Sequence, residues 1–223
     1  MRKIVVLLAF VVLSLGVASA SSIGCVIAGA GTGGEVLAGT VVTCGGLTFD
    51  NFDVNGLNGA SGIVDIISAG ACTNEGALNQ VCLFFDPNMQ ANQDVQLSFQ
   101  VWGGIDQIDM SVGGENASIT ETACAVPLVN GVCSSGNPDD LLGQITVASN
   151  QQATICNLPE CTAIPATSPV YIFKDINTGT DGALSEFTQS FDPSSGTPEP
   201  VSMVLLGSGL LGLGLLRRRS RKN

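Results

Sequence analysis

The stretch Val95-Gln-Leu-Ser-Phe-Gln-Val-Trp102 alternates apolar and polar side chains along its length. Successive side chains of a β-strand point to opposite faces, so a period of two gathers the apolar residues on one face. The other face carries two glutamines, a serine and the tryptophan. The stretch therefore predicts a strand with one face in an apolar core and the other towards solvent.

Nine further short runs have a similar character and are separated by residues that form turns. Glycine, asparagine, aspartate and proline lie between them, as in Asn55-Gly56 and Asn130-Gly131. No helical stripe is visible beyond a short turn near residues 139–142. About ten short strands without intervening helices predict an all-β fold, an antiparallel β-sandwich or jelly roll, over residues 21–191. The runs lie at 36–43, 46–54, 62–68, 80–86, 105–112, 116–123, 143–155, 168–175 and 183–191.

Cysteine pairing is the second constraint on this domain. An even number of cysteines in an exported chain predicts disulfides. Short loops close most readily, so the expected pairs are neighbours in sequence, although many other pairings are possible. A zinc site is disfavoured because the chain has no histidine and no C-x-x-C pair. The eight cysteines, in their expected pairs, are Cys25 with Cys44, Cys72 with Cys82, Cys124 with Cys133 and Cys156 with Cys161.

Residues 1–20 have the three parts of a secretory signal peptide. Arg2 and Lys3 precede an apolar core from Ile4 to about Val17, and Ala18-Ser19-Ala20 forms a small-residue cleavage site. We therefore expect export through the Sec translocon into an oxidising compartment. The span that remains is a single domain of ordinary size.

The C-terminal 26 residues, 198–223, contain a short motif, an apolar run and a basic tail. The motif Pro198-Glu199-Pro200 follows a flexible linker over 192–197 and precedes the apolar run 201–216. Sixteen helical residues span roughly 24 Å, less than the roughly 30 Å hydrocarbon core of a bilayer. The cations stop transfer on the cytoplasmic side. The basic tail over 217–222 contains Arg217, Arg218, Arg219, Arg221 and Lys222.

This order of motif, transmembrane helix and arginine cluster resembles the PEP-CTERM sorting signal of Gram-negative bacteria. The resemblance implies that an exosortase, a membrane peptidase, cuts near Pro198-Glu199-Pro200. A precursor anchored transiently in the inner membrane would then become a cell-surface or extracellular protein, linked to exopolysaccharide or biofilm material. An ordinary C-terminal membrane anchor is the alternative, and it would keep the whole tail.

Two further regions are similar to strands of uncharacterised PEP-CTERM proteins. They are Cys44–Val54 and the pair formed by Tyr171–Ile176 with Leu184–Phe191. The similarity implies a β-rich surface domain whose two ends join one sandwich, and it assigns no activity. The phenylalanines of these regions are expected in the core: Phe49, Phe52, Phe173, Phe187 and Phe191.

Charge separates the domain from both terminal signals. The span 21–200 contains one cation, Lys174, against 19 Asp and Glu residues, a formal charge of −18. Such a surface repels nucleic acid and anionic membranes, so we expect neither as a partner. It is compatible with divalent cations, although a solvated acidic surface is the preferred explanation.

Two patterns were considered as binding sites. Gly29-Ala-Gly31-Thr-Gly-Gly34 matches a dinucleotide fingerprint by spacing, but the β-branched residues after it do not predict the required helix. Calcium is the better hypothesis, because two segments have oxygen ligands at alternate positions. One is Asn51–Gly56, and the other contains Asp175, Asn177, Asp181 and Glu186. Either segment could instead be an Asx-rich turn between strands.

The composition offers little for catalysis. Without histidine, a Ser-His-Asp or Cys-His arrangement is excluded. Paired carboxylates for glycoside hydrolysis are possible in principle, but the sequence marks no pair. The function predicted is therefore an exported, non-catalytic surface or extracellular-matrix protein without a cofactor. The alternatives are a calcium- or carbohydrate-binding module and a glycan-active hydrolase.

Overall fold

The computed structural model describes residues 24–36, 38–57, 64–72, 80–156 and 167–194. The signal peptide, residues 195–197 of the predicted linker, the sorting signal and Cys161 lie outside them. The described part forms fourteen strands and two 3-10 turns. The strands are β1 (Cys25–Ala28), β2 (Val41–Cys44), β3 (Leu47–Leu57), β4 (Asp65–Ala71), β5 (Val81–Asp86), β6 (Asp94–Trp102), β7 (Ile105–Val112), β8 (Glu115–Cys124), β9 (Leu128–Val129), β10 (Val132–Cys133), β11 (Leu141–Ala148), β12 (Gln151–Cys156), β13 (Val170–Ala183) and β14 (Phe187–Pro193).

The strands form two antiparallel sheets and a small hairpin. The larger sheet has seven strands in the order β1-β2-β3-β6-β13-β8-β11, and the smaller has five in the order β12-β7-β14-β5-β4. Strands β9 and β10 pair with each other as the hairpin. The stretch Val95–Trp102 belongs to β6, which lies at the centre of the larger sheet between β3 and β13.

The two sheets pack face to face over an apolar core, which confirms the predicted sandwich. Alternate residues of β6 are buried, as the period of two predicts. Aromatic rings join the sheets, because Phe49 lies 5.0 Å from Phe191 and Phe99 lies 6.1 Å from Phe85 between ring centroids. Burial of such side chains stabilises the fold by about 1.5–3 kcal/mol each.

Three of the four predicted disulfides are present. Cys25–Cys44 joins the paired strands β1 and β2, and Cys72–Cys82 joins the end of β4 to β5. Cys124–Cys133 attaches the β9–β10 hairpin to β8. The fourth pair includes Cys161 and falls outside the described residues.

Several details of the sequence prediction were wrong. The run 143–155 is two strands, because Asn150 turns the chain with a φ of 60° and carries it from one sheet to the other. Asp192 and Pro193, predicted as linker, continue β14 and pair with β7. Residues 36–40 precede β2, which begins at Val41. Phe173 is partly exposed on the outer face of the seven-stranded sheet, although Phe49, Phe52, Phe187 and Phe191 are buried.

Among the described residues, no helix is long and apolar enough to cross a bilayer.

Candidate functional site

A surface groove lies on the outer face of the five-stranded sheet. We call it the five-strand groove; its volume is about 390 Å³. Its base is a row of side chains across four neighbouring strands. Thr188 of β14 lies opposite Phe84 on one side and opposite Ser111 on the other. Ser111 in turn lies opposite Gln152 of β12. The lining residues are Phe84, Ser111, Val112, Gly113, Asn150, Gln151, Gln152, Glu186, Phe187 and Thr188.

Backbone contacts fix one end of the five-strand groove. The Gly113 N–H donates to the Glu186 carbonyl at 3.2 Å, which holds the two loops together. The Asn150 N–H donates to the Val112 carbonyl at 2.6 Å, and its side-chain amide donates to the Gly114 carbonyl at 3.2 Å. A Cβ at Gly113 would lie 3.2 Å from the Glu186 carbonyl oxygen, so a larger residue would crowd this end.

The chemistry of the five-strand groove is mostly neutral and polar. Hydroxyl groups come from Ser111 and Thr188, and exposed amides come from Gln151 and Gln152. Phe84 presents a partly exposed ring at one side of the row. Among the described lining residues, Glu186 supplies the one carboxylate. Such a surface can exchange hydrogen bonds with hydroxyl groups and pack a ring against an apolar face.

A smaller groove of about 180 Å³ lies on the outer face of the seven-stranded sheet. Pro127 and Leu128, at the start of the β9–β10 hairpin, form one wall of this groove. Tyr171 of β13 also lines the groove. The hairpin packs on Phe173, since a Cβ on Gly131 would lie 2.6 Å from the Cε1 atom of that ring. This contact explains why Phe173 is half-covered on the outer face. Nearby, the indole N–H of Trp102 donates to Asp50 Oδ1 at 3.0 Å.

The structure does not gather the predicted calcium ligands. Asp175, Asn177 and Asp181 belong to strand β13, and Glu186 follows it and lines the five-strand groove. No group of three or more Asp, Glu or Cys residues in the described chain is placed to hold a metal ion. The Asn51–Gly56 segment lies within β3. β13 pairs along Asp175 to Thr178 and β3 pairs from Asp53 to Leu57, so these parts of the two segments are strand. The register shifts between Asp50 and Asp53 and between Thr178 and Ala183, so the other parts are irregular.

Asp175 instead affects a neighbouring carboxyl. Burial raises the pKa of Asp94 above its usual 3.8, and the charge of Asp175 raises it further. A hydrogen bond with Asn177 acts in the opposite direction. Asn177 and Asp94 lie opposite each other on β13 and β6.

The dinucleotide-like glycine segment is also explained by the fold. Thr32–Gly34 is a 3-10 turn between β1 and β2, which are adjacent antiparallel strands. It therefore lacks the helix N-terminus that a dinucleotide pyrophosphate requires.

A buried polar cluster was missed by the sequence analysis. Lys174 of β13 and Glu121 of β8 form an ion pair whose side chains are both 0% exposed. The same Lys174 Nζ also donates to Gln189 Oε1 on the opposite sheet. Burial lowers the pKa of Lys174 and raises the pKa of Glu121, against the attraction between the two charges. The sequence did contain a signal for this cluster. Lys174 lies midway between Ile172 and Ile176, so the period of two places its charge on the face of β13 that is buried.

The Phe187 ring and Met110 complete the surroundings of this cluster. Lys174 Nζ lies 5.4 Å from the Phe187 ring centroid and 3.4 Å from Met110 Sδ. Gln189 Nε2 donates to the Asp109 carbonyl at 2.8 Å. Within the described structure, Glu121 Oε1 is buried and has no hydrogen-bond partner. The cluster is therefore buried and linked across both sheets, and the Phe187 ring that it contacts also lines the five-strand groove.

Comparisons with known proteins identify no family. No family model matches the chain, and no curated protein matches it. Similar solved structures include TmCBM61 in complex with beta-1,4-galactotriose, at 14% identity and a TM-score of 0.34, covering 62% of this chain and 86% of that chain. Another is the family 11 carbohydrate-binding module of the Clostridium thermocellum cellulase Lic26A-Cel5E, at 10% identity and a TM-score of 0.28, covering 78% and 97%. Likenesses of this size assign no function, which has to be argued from the residues of the chain itself.

Proposed function

We propose that the protein is an exported, non-catalytic surface or extracellular-matrix protein that binds a neutral polysaccharide in the five-strand groove. The observation that carries the proposal is the row formed by Phe84, Thr188, Ser111 and Gln152 across four strands. A sugar ring presents hydroxyl groups at its edge and C–H groups on its faces. The amide and hydroxyls of the row can form hydrogen bonds with the sugar hydroxyl groups, and the Phe84 ring can pack against the C–H groups.

The lining of the groove favours binding over hydrolysis, and the charge of the domain favours a neutral ligand. Glycoside hydrolysis commonly uses two carboxyl groups about 5–9.5 Å apart. Of the described residues that line the five-strand groove, Glu186 alone has a carboxyl group. The acidity of the ectodomain, a formal charge of −18 over residues 21–200, disfavours polyanionic glycans. A neutral polysaccharide is therefore the expected ligand class.

The binding test is affinity electrophoresis of the exported protein through gels that contain neutral or anionic polysaccharides, including exopolysaccharide from its host. Retardation by a neutral polysaccharide is expected, and Gln152→Ala or Phe84→Ala should weaken it about tenfold. Gln144→Ala is the matched control, because Gln144 is an exposed glutamine on the outer face of the other sheet. Equal retardation of all variants would place binding elsewhere, and no retardation in any gel would remove the proposal.

Sorting is a separate proposal that rests on the terminal sequences. We propose that an exosortase cuts the inner-membrane precursor near Pro198-Glu199-Pro200 and that the ectodomain then joins exopolysaccharide or biofilm material. The test is the intact mass of the native protein after cell fractionation. A C-terminus near Pro198 outside the inner membrane is expected. Retention of the basic tail with Arg217 in the membrane fraction would instead show an ordinary anchor.

A further inference from the structure

The buried cluster brings an amine, an amide and a carboxyl group together in an apolar interior. Lys174 and Glu121 are opposite each other on β13 and β8 of the seven-stranded sheet. Gln189 lies on β14 of the five-stranded sheet, and Lys174 Nζ contacts the side-chain oxygens of both residues. All three residues are 0% exposed. None of these three residues lines the five-strand groove, so the cluster needs a separate chemical explanation.

We propose that Lys174 and Gln189 join as an intramolecular isopeptide bond between the two sheets, with Glu121 as the proton carrier. This is a covalent modification of the core, independent of glycan binding and of sorting. It needs no oxidant and no other co-reactant, because an amine exchanges with the ammonia of an amide.

The contacts favour attack at the Gln189 side chain. Lys174 Nζ contacts Gln189 Oε1, so it lies beside the amide carbon Cδ to which that oxygen is bonded. The 2.8 Å hydrogen bond from Gln189 Nε2 to the Asp109 carbonyl holds the amide group in place. Nucleophile and electrophile are therefore held together by the packing of two rigid sheets, which replaces a chance encounter by a fixed arrangement.

The reaction is balanced without any additional reagent. A bond forms between Lys174 Nζ and Gln189 Cδ, and the bond from Cδ to Nε2 breaks. One proton leaves Nζ and reaches Nε2 through the Glu121 carboxyl, so ammonia departs. The products are a secondary amide, free ammonia and an unchanged Glu121. An amine must be neutral to attack, and a lysine in an apolar site meets this condition more easily.

The surroundings support these protonation states. Burial is the main reason that the pKa of Lys174 is lowered and that of Glu121 is raised, so both groups are shifted towards their neutral forms. Glu121 contacts Nζ through Oε2. Its other oxygen, Oε1, is buried without a hydrogen-bond partner in the described structure.

Glu121 is itself a possible electrophile, and the geometry argues against it. If Lys174 attacked Glu121, no second carboxyl among the described contacts of Lys174 could carry the proton. Attack at Gln189 leaves Glu121 free for that role. The two outcomes also differ in mass, because attack at Glu121 releases water whereas attack at Gln189 releases ammonia.

Trypsin provides a direct test, because Lys174 is the one Lys or Arg between Lys3 and Arg217. Trypsin recognises a cationic side chain, so an acylated Lys174 blocks its cut. After reduction and unfolding, the exported protein should stay uncut across residues 174–175. Its mass should be lower by about 17 Da, one ammonia, than the sequence requires. Fragmentation of a peptide from a second protease should locate the link between Lys174 and Gln189.

Two variants distinguish the proposed link from an unrelated loss of ammonia elsewhere in the chain. Glu121→Gln keeps Lys174 and Gln189, and it should restore both the tryptic cut and the full mass. Glu115→Gln is the matched control, since Glu115 is an exposed carboxylate on the same strand, and it should stay linked. A cut after Lys174 in the wild-type protein would refute the proposal even if Glu121→Gln fails to fold. A loss of about 18 Da with Lys174 joined to Glu121 would refute the assignment to Gln189.

Discussion

Around Phe99 the interior of the sandwich is aromatic, whereas around Lys174 the same interior is polar. Phe99 lies within 6.4 Å of the ring centroids of Phe49, Phe52, Phe85 and Phe191. Its neighbours are interchangeable in kind, since each contributes apolar area. Lys174 depends on particular partners, because a buried charge or amine is costly without them. The two regions should therefore respond differently to substitution.

The largest effect is expected from Glu121→Ala. Loss of the carboxyl leaves Lys174 in the core without its partner, so the free energy of unfolding should fall by about 3–5 kcal/mol. Urea unfolding followed by fluorescence measures the change. Glu115→Ala, at the exposed start of the same strand, should change stability by less than about 0.5 kcal/mol. Equal effects of the two variants would contradict the comparison.

A smaller loss is expected in the aromatic region. Phe99→Leu keeps an apolar side chain but removes the ring contacts, so a decrease of about 1–3 kcal/mol is expected. The same urea titration measures it. Phe84→Leu tests the role of burial, because Phe84 is partly exposed on the outer face, and its effect should be smaller. If Phe99→Leu costs more than Glu121→Ala, the aromatic region is the less tolerant one.

A modest dependence of stability on pH is expected from Asp94, which lies on the outer face of the larger sheet. Burial raises the pKa of Asp94 above 3.8 in the folded protein, so the native state binds a proton more readily than the unfolded chain. Stability from this group is therefore greatest at low pH and falls as pH rises from about 4 through the raised pKa. Acidification from neutral pH towards about pH 4 should therefore raise the melting temperature through protonation of Asp94.

Asp94→Asn should reduce this gain on acidification, because the substituted side chain does not titrate. Asp181→Asn, an exposed position on β13, is the control and should retain the gain. Differential scanning calorimetry from neutral pH down to about pH 4 makes the comparison. A melting temperature that falls equally in all three proteins would show that Asp94 does not govern this range.

The smallest effect is expected from calcium. Asp175, Asp181 and Glu186 are not brought together as a metal group, so calcium should not select the folded state. Millimolar calcium, compared with a chelator, should leave the melting temperature unchanged beyond the shift that magnesium produces by screening. A larger shift with calcium alone, lost in Glu186→Gln, would restore the calcium hypothesis.

Periodicity predicted the fold because it is a local property of each strand. The alternation in Val95–Trp102 matches the burial of β6 residue by residue. Proximity in sequence likewise predicted three disulfides. The division of 143–155 into two strands was missed because apolar residues continue on both sides of the Asn150 turn.

The candidate sites depend on register between distant strands, which periodicity does not contain. The row in the five-strand groove requires that Thr188 lie opposite both Phe84 and Ser111. The buried cluster requires that β13 place Lys174 beside Glu121 while β14 supplies Gln189 from the other sheet. Phe173 was misplaced for a related reason, because the contact with Gly131 of the hairpin is a tertiary one.

The burial of Lys174 also determines the charge that two copies of this domain present to each other. Lys174 is the one Lys or Arg between Lys3 and Arg217, and it is buried. The outer surface of the domain therefore has no cationic side chain. Two copies therefore repel each other in every orientation, and no surface ion pair between them can offset the repulsion. Salt reduces the range of this repulsion to about 8 Å at physiological ionic strength. Ionic strength therefore determines how strongly two copies repel each other.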